Sequence, residues 1–306
     1  MKHYFILNPA AGSGRASADL LPALHKYLKD SDLEYEIHRS LSKNDVSAWV
    51  RSRAESGEEM RFYAIGGDGT INDVLSGMIV NPNSQLAVFP CGSGNDFVKN
   101  FTETKNFLSI ESQLNGEAVP VDVIKFNDSY CINMLNIGTD CDIVTESLRL
   151  RYEKNIKGAA SYAVAAVTVL AKRGTYHMKY VDECGVTREE ELLLIAVGNG
   201  KYCGGGFRSC PNASIQDGLM DVCVVRPVDG LKLFKMLLEY RKGTYLASPQ
   251  ADRYFKYMQL SQFTLTPADN FNVSVDGEIE PFVDTKFTVL PGAVKFVVPR
   301  GSEIIK

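Results

Sequence analysis

The sequence predicts an α/β N-terminal domain with a mainly parallel sheet, followed by a C-terminal, mainly antiparallel β-sandwich domain. Residues 1–118 alternate short apolar runs with stretches of helical periodicity, in the order β-α-β-α-β-α-β. This order favours a parallel sheet with helices on both faces. Residues 119–306 contain a series of short β-type runs, most of them separated by turn residues, which is typical of a sandwich. The boundary follows the segment 116–120, Gly-Glu-Ala-Val-Pro.

The elements of the first domain follow from apolar runs and their spacing. A helix is expected to begin near Ser17–Asp19, because Pro22 fits only the first turn of a helix. A second helix is predicted over Asp45–Ala54 and a third from the segment after residue 70 to about Met78. Predicted strands are Tyr4–Asn8, Tyr35–His38, Phe62–Ile65 and Leu86–Phe89.

The second domain is predicted to contain two helices, near 156–172 and 229–240. Its predicted strands are Val121–Phe126, Tyr130–Ile137, Met178–Val181, Glu191–Val197, Leu219–Val225, Gln262–Thr266, Phe271–Val275, Phe287–Leu290 and Val294–Val298.

Composition narrows the class of protein. The formal net charge is −4 and the pI is about 5.7, so the overall charge gives no argument for nucleic-acid binding. The seven cysteines are odd in number and lack C-x-x-C spacing, and the four histidines are scattered. Reduced thiols in a cytoplasmic protein are therefore expected, without a zinc site. No run reaches the ~18–20 apolar residues of a membrane span.

The loop Gly66–Thr70, Gly-Gly-Asp-Gly-Thr, lies between an apolar run and a helical run. Glycines let backbone N–H groups crowd around an anion, since no Cβ stands in the way. A helix N-terminus adds unpaired donors and the positive end of its dipole. Asp68 would repel a bare phosphate, so it either meets the phosphate through Mg²⁺ or holds the loop's own amides. The loop is not a Walker A motif, and it indicates a nucleotide polyphosphate and phosphoryl transfer.

Two more loops follow predicted strands at the same sheet edge. One begins at Asn8-Pro9 and runs to Gly14, and the other is Gly92–Asp96. Alone, the first is an ordinary turn, and the second is a helix start capped by Asn95 or Asp96. Ligands of parallel sheets bind beyond the carboxyl ends of the strands. The three loops together therefore favour a phosphate or adenine site.

Two acidic turns in the second domain carry weaker signals. Asp217–Asp221 reads as a hairpin-type turn or as an oxygen-lined Mg²⁺ site. Asp276-Gly277-Glu278 reads as a turn whose carboxylates could hold a general base near a substrate hydroxyl.

Basic residues flank the apolar segment Ala159–Ala171, and they favour either a solvated helix face or contact with an anionic membrane. They are Arg149, Arg151, Lys154, Lys157, Lys172 and Arg173.

These motifs, in this order, resemble those of the diacylglycerol kinase catalytic-domain family, specifically the small soluble bacterial lipid kinases. The resemblance covers essentially the whole chain. Its parts are Asn8-Pro9 with Gly12, Gly66–Asn72, Gly92–Asp96, Gly138–Asp140, Gly204–Gly206 with Pro211, Asp217–Asp221 and Val275–Glu278. Ser40 stands where the family usually has threonine, and Thr139 where it usually has phenylalanine.

The resemblance implies a phosphofructokinase-like first domain, a sandwich second domain and ATP in the cleft between them. It implies Glu278 as the general base, assisted by Asp276, and a structural Mg²⁺ held by Asp217 with Ser214 and Leu219. Asp68 would organise the loop and the metal. The predicted nucleotide contacts, which include Asn8 and Asn95 from the loop interpretation, are Asn8, Ser40, Gly66, Gly67, Asp68, Gly69, Thr70, Ile71, Asn72, Ser93 and Asn95.

The predicted function is that of an ATP-dependent lipid kinase. It would phosphorylate diacylglycerol to phosphatidic acid and reach its lipid at a membrane surface by peripheral contact. A soluble kinase of the NAD-kinase type, which shares the Gly-Gly-Asp-Gly-Thr loop, is one alternative. A nucleotide-binding regulator without catalysis is another. The sequence leaves a homodimer open.

Overall fold

The computed structural model describes residues 1–305 except 15, 43–44, 157–158, 173, 229 and 269–270. The helices are α1 Leu21–Lys29, α2 Asp45–Ala54, α3 Asp68–Met78, α4 Ile110–Leu114, α5 Thr139–Lys154, α6 Ala159–Lys172, α7 Gly230–Lys242 and α8 Ala251–Tyr254. The strands are β1 Lys2–Leu7, β2 Tyr35–Arg39, β3 Met60–Gly66, β4 Ser84–Pro90, β5 Glu117–Phe126, β6 Ser129–Cys131, β7 Met134–Gly138, β8 Tyr176–Val181, β9 Thr187–Leu192, β10 Leu194–Gly198, β11 Met220–Val225, β12 Phe255–Leu260, β13 Gln262–Pro267, β14 Phe271–Val275, β15 Glu278–Phe282 and β16 Thr285–Val298.

The first structural unit comprises residues 1–123 and 291–306. Its sheet has the order β2-β1-β3-β4-β16, and all of these neighbours are parallel. Phe5, Tyr63 and Phe89 of the sheet pack in one cluster with Leu24 and Leu28 of α1. The predicted parallel α/β domain is confirmed.

The unit's limits differ from the predicted boundary after residue 118. Residues 119–123 and the chain end from 291 onward belong to the first unit. The reason is a backbone pairing: the end of β16 lies parallel to β4, with Lys295 opposite Gln85 and Phe296 opposite Leu86. A pairing partner more than 200 residues away along the chain leaves no local signal in the sequence.

The second unit, residues 124–290, is the predicted antiparallel sandwich. One sheet has the order β12-β11-β10-β7-β14-β15, and every neighbouring pair is antiparallel. In the other, the first part of β16 pairs with β13, β13 with β8 and β8 with β9, again antiparallel. Side chains from both sheets, such as Ile137 and Phe263, form one buried cluster. The sandwich prediction is therefore confirmed.

Several predicted elements are corrected. The run Tyr130–Ile137 is two strands, β6 and β7, because residues 132–133 turn out of the ladder. The run Glu191–Val197 is likewise split between β9 and β10, whereas the two predicted C-terminal strands are one, β16. Helix α5 was missed, since its buried face includes the polar residues Thr139, Asp140 and Ser147 and so lacks a clean apolar period.

Across the described parts of the chain, no helix is both long and apolar enough to cross a bilayer.

Candidate functional site

The loops after β3 and β4 touch backbone to backbone. The amide of Cys91 donates to the carbonyl of Gly66 at 2.8 Å. A Cβ on Gly67 would lie 3.1 Å from Cα of Gly92, and a Cβ on Gly92 would overlap Cα of Gly67. Gly67 has an ordinary φ of −99°. Glycine is therefore favoured at position 67 by the close approach of the loop after β4, and not by its φ angle.

Asp68 ties these two loops together. Its Oδ2 accepts from the amide of Asp96 at 3.1 Å and its Oδ1 accepts from the amide of Phe97 at 3.0 Å. Of the two roles considered for this carboxylate, the structure shows contact with loop amides. Asp96 is itself buried and forms an ion pair with Lys99 at 2.5 Å. The acidic side chains at this edge therefore have partners within the protein.

The loop after β1 joins the same cluster through Asn8. Its Nδ2 donates to Oγ1 of Thr70 at 3.1 Å, and its Oδ1 accepts from the amide of Ala10 at 3.0 Å. The backbone amide of Asn8 donates to the carbonyl of Ile65 at 3.0 Å. The three predicted loops are thus adjacent at the carboxyl ends of β1, β3 and β4.

Asn95 gives the third loop its shape. It has φ 51°, a left-handed conformation that asparagine tolerates. Its Oδ1 accepts from the amide of Gly92 at 2.8 Å, while its Nδ2 donates to the carbonyl of Gly92 at 3.0 Å. Ser93, inside this loop, is exposed. The loop thus presents Ser93 on a backbone held by Asn95.

The other predicted nucleotide contacts differ in what they expose. Ser40 follows β2, half-buried, and its amide donates to the carbonyl of Leu7 at 2.9 Å. Thr70 and Ile71 are buried in α3, and the amide of Ile71 donates to the carbonyl of Gly67 at 3.1 Å. Gly69 and Asn72 are half-buried on the same helix.

In the second unit, Asp276 and Gly277 form the two-residue turn between β14 and β15. Val275 and Glu278 are the last paired residues of the hairpin. Asp276 has φ 47° and Gly277 φ 90°, the two positive angles of a type I′ turn. The sequence Asp-Gly suits both positions, so the local geometry is determined by the motif itself.

The carboxylate of Asp276 is buried among donors from the turn between β6 and β7. Its Oδ2 accepts from the amide of Ile132 at 3.1 Å, and its Oδ1 from the amides of Asn133 at 3.1 Å and Met134 at 2.9 Å. The Cys131 thiol, 3.2 Å from Oδ1, is a fourth donor. Burial, and next the charge of Asp276, raise the pKa of this thiol well above its usual range. It therefore stays protonated and able to donate.

Glu278, two residues further on, has a different environment. It is the first residue of β15 and its side chain is exposed. Exposure meets one requirement of a general base, which must be able to approach a substrate hydroxyl, and the role itself stays a prediction.

The predicted magnesium ligands lie in the turn before β11. Asp217 is exposed, and its Oδ1 accepts from the amide of Leu219 at 3.0 Å across Gly218, which has φ 75°. Ser214 is half-buried. The described residues contain no group of three or more His, Cys, Asp or Glu side chains arranged to hold a metal. A site made largely of carbonyl oxygens around Asp217 remains a prediction.

Comparison with known proteins assigns the chain to a family. Residues 2–126 match the family described as diacylglycerol kinase catalytic domain. Residues 134–298 match the YegS C-terminal NAD kinase beta sandwich-like domain. The chain belongs to the diacylglycerol kinase catalytic-domain family.

Relatives of this family share most of the chain. A protein of Alcanivorax borkumensis, named "probable lipid kinase YegS-like", is 29% identical over 267 residues, covering 85% of this chain and 86% of its own. A protein of Cronobacter sakazakii with the same name is 28% identical over 303 residues, covering 95% of each chain.

Solved structures support the fold. A diacylglycerol kinase of Bacillus anthracis superposes with a TM-score of 0.71 at 21% identity, covering 99% of this chain and 98% of that one. An NAD kinase of Archaeoglobus fulgidus, solved with ATP, superposes with a TM-score of 0.52 at 11% identity, covering 98% and 94%. At these identities the likeness concerns the fold alone.

Two features near the recognised motifs were not predicted from the sequence. The amides of residues 132–134 that hold Asp276 carry no side-chain signal. Asp140 lies in the recognised Gly-Thr-Asp motif but was not assigned a role. It is buried, its Oδ2 has no hydrogen-bond partner among the described residues, and burial raises its pKa to about 7. The adjacent Thr139 donates through Oγ1 to the carbonyl of Leu193 at 2.8 Å.

Proposed function

We propose that this chain is an ATP-dependent lipid kinase that transfers the γ-phosphoryl group of ATP to the hydroxyl of diacylglycerol, giving phosphatidic acid. The observation that carries the proposal is the cluster of three loops at one edge of the parallel sheet. Gly67 and Gly92 place no side chain where the loops after β3 and β4 meet, and Asp68 accepts hydrogen bonds from the backbone amides of Asp96 and Phe97. Family membership supplies the lipid substrate class.

Phosphoryl transfer depends on positioning and on charge neutralisation more than on covalent chemistry. The loop amides and the N-terminus of α3 would bind the phosphates. Glu278 would accept the hydroxyl proton of the lipid as the oxygen attacks. Asp276 would act on the reaction by fixing the turn that carries Glu278.

The proposal includes Mg²⁺ as a cofactor. The donors around Asp217 fit a hard cation, because a carboxylate and the carbonyls of Ser214 and Leu219 are oxygen ligands. Such an ion would stabilise the turn before β11, and Mg²⁺ bound with ATP would supply neutralisation of phosphate charge.

The test is a radiolabelled ATP assay with detergent micelles containing extracted lipids, with the product identified by mass spectrometry. Label in phosphatidic acid is expected. Label in another phospholipid would support the lipid-kinase assignment and identify a different acceptor lipid. Absence of label from every lipid fraction would overturn the proposal.

NAD is the necessary control acceptor, because the second domain matches an NAD kinase-like sandwich. Transfer to NAD without transfer to lipid would favour the NAD-kinase alternative. ATP binding without transfer to any acceptor would favour the regulator.

A further inference from the structure

Helix α6, Ala159–Lys172, has no charged residue before its final lysine. Ala165, Ala166 and Val169 face α5 and pack in a small buried cluster with Ile143 and Leu150. The opposite side is open to solvent: Val167 is 72% exposed and Val164 is 44% exposed. An amphipathic surface helix normally presents polar residues there.

The open residues form a single stripe. Ala160, Ala163, Val164, Val167 and Ala171 are all exposed. Their spacing places them within an arc of about 100° on a helix of 3.6 residues per turn. We call this set the α6 stripe. These residues lie side by side along the helix, whereas apolar residues exposed singly need no explanation.

Lysines lie at both ends of the helical hairpin that bears the stripe. Lys154, in the last turn of α5, and Lys172, the last residue of α6, are both exposed. Tyr152, 84% exposed, lies one turn or less from Lys154. Arg149, by contrast, is occupied by Glu146 and Glu153 at 2.7 and 2.8 Å. Lys157 and Arg173, which the sequence also suggested for this surface, lie outside the described residues.

We propose that the α6 stripe docks on an anionic lipid bilayer, with Val164 and Val167 entering the interface and Lys154 and Lys172 meeting the headgroups. The inference rests on the proposed function, because a diacyl substrate resides in a membrane. Apolar residues on one helix face, with basic residues at the ends of the same hairpin, favour a helix that lies in the interfacial plane of an anionic bilayer.

A second copy of the chain fits this surface less well. The stripe spans the 12 residues from Ala160 to Ala171, roughly 16 Å of helix and on the order of 160 Å², against the ~800 Å² that each partner contributes to a stable interface. Two copies docked through the stripe would also bring lysine ends of like charge together, whether the two helices run parallel or antiparallel. Docking on an anionic bilayer needs no interface of that area and brings no like charges together.

The binding test uses sedimentation with vesicles made of equal parts phosphatidylcholine and phosphatidylglycerol. Val167→Glu is expected to lower the vesicle partition coefficient about tenfold, since an exposed valine loses its apolar contact and a negative charge is added. Lys154→Glu with Lys172→Glu should lower it further on these vesicles and have little effect on pure phosphatidylcholine. The control is Val80→Glu, because Val80 is also an exposed valine, at 44% against 72% for Val167, but lies in the first unit.

Activity separates docking from the kinase proposal. Val167→Glu should lose about tenfold in turnover of long-chain diacylglycerol in vesicles and keep its turnover of a monomeric, short-chain diacylglycerol. If the wild type phosphorylates neither lipid, the kinase proposal fails, while vesicle sedimentation still tests docking. Equal vesicle binding by Val167→Glu and wild type would overturn the docking surface. An equal loss of vesicle binding in Val80→Glu would also overturn it. So would a change in the oligomeric state of Val167→Glu, measured by light scattering, while its vesicle binding stays intact.

Discussion

The glycine loops of the first unit and the β14–β15 hairpin of the second use an aspartate in the same way. The carboxylate of Asp68 accepts hydrogen bonds from two backbone amides of the loop after β4. The carboxylate of Asp276 accepts hydrogen bonds from three backbone amides that follow β6 and from a thiol. In each case the carboxylate of the recognisable motif fixes a neighbouring loop. In each case an exposed residue belongs to the same loop or hairpin: Ser93 lies in the loop after β4 and Glu278 is two residues after Asp276. In both glycine turns, therefore, the first role of the acidic residue is to hold neighbouring backbone in place by hydrogen bonds.

Glu278→Gln should cause the largest effect on activity. The amide keeps the size of the side chain but cannot take up a proton, and general-base contributions are typically ~10²–10⁴-fold. We expect turnover of diacylglycerol to fall on that order while ATP affinity and melting temperature stay the same. Steady-state kinetics and calorimetry check this. Wild-type turnover in Glu278→Gln, with a collapse in Asp276→Asn, would transfer the base to Asp276 and break the comparison.

Asp276→Ala should cause the largest effect on stability. It removes the acceptor for three buried amides and forces alanine into a φ of 47°. Hydrogen bonds to charged groups contribute ~1.5–3 kcal/mol each and are not additive, so we expect a loss of roughly 3–5 kcal/mol in the free energy of unfolding. Denaturant titration measures it.

Asp276→Asn is the matched control for that prediction. Asparagine tolerates the left-handed conformation and keeps one carbonyl oxygen as acceptor, so its loss should be smaller than that of alanine. A loss in turnover with unchanged unfolding free energy in Asp276→Ala would show that its role is chemical.

Much of this comparison was predictable from the sequence, because Gly66–Thr70, Gly92–Asp96 and Asp276–Gly277 are local patterns with local consequences. Positive φ at 276 and 277 follows from Asp-Gly in a two-residue turn. The partners of the two aspartates were not predictable. Any residue type can supply a backbone amide, so residues 96–97 and 132–134 become visible only when the sheets assemble. Whether the last strand returns to the first unit was left open by the sequence for the same reason, and the structure pairs β16 with β4.

Asp140 contrasts with Asp68 and Asp276, because it is a buried carboxylate whose Oδ2 has no hydrogen-bond partner among the described residues. Burial raises its pKa to about 7, from 3.8 in the unfolded chain. It interacts with the thiols of Cys210 and Cys223 and with the phenol of Tyr240, whose pKa values burial also raises. Between these two pKa values the folded protein binds more protons than the unfolded one. Stability attributable to this group therefore falls as pH rises from about 4 to 7 and is constant above that.

Asp140→Asn should remove this pH dependence. About three pKa units correspond to at most ~4 kcal/mol. We expect the variant to match the wild type near pH 4 and to exceed its unfolding free energy by roughly 2–4 kcal/mol at pH 8. Parallel denaturation curves for the two proteins at all pH values would contradict the buried, unpaired carboxylate.

Gly67→Ala should have the smallest effect on the fold and a selective effect on the nucleotide. A Cβ at 67 meets Cα of Gly92 at 3.1 Å, a contact that a shift of a few tenths of an ångström relieves, and φ −99° suits alanine. We expect the unfolding free energy to change by less than ~1 kcal/mol. The same methyl group would obstruct phosphate approach to the loop amides, so ATP affinity should fall about tenfold, or ~1.4 kcal/mol. Gly174→Ala is the control, because a Cβ there meets nothing within 4 Å. Isothermal calorimetry with ATP on both variants decides the matter: if Gly67→Ala and Gly174→Ala bind ATP equally well, the loop after β3 is not the phosphate site, and the likeness between the two regions is one of architecture only.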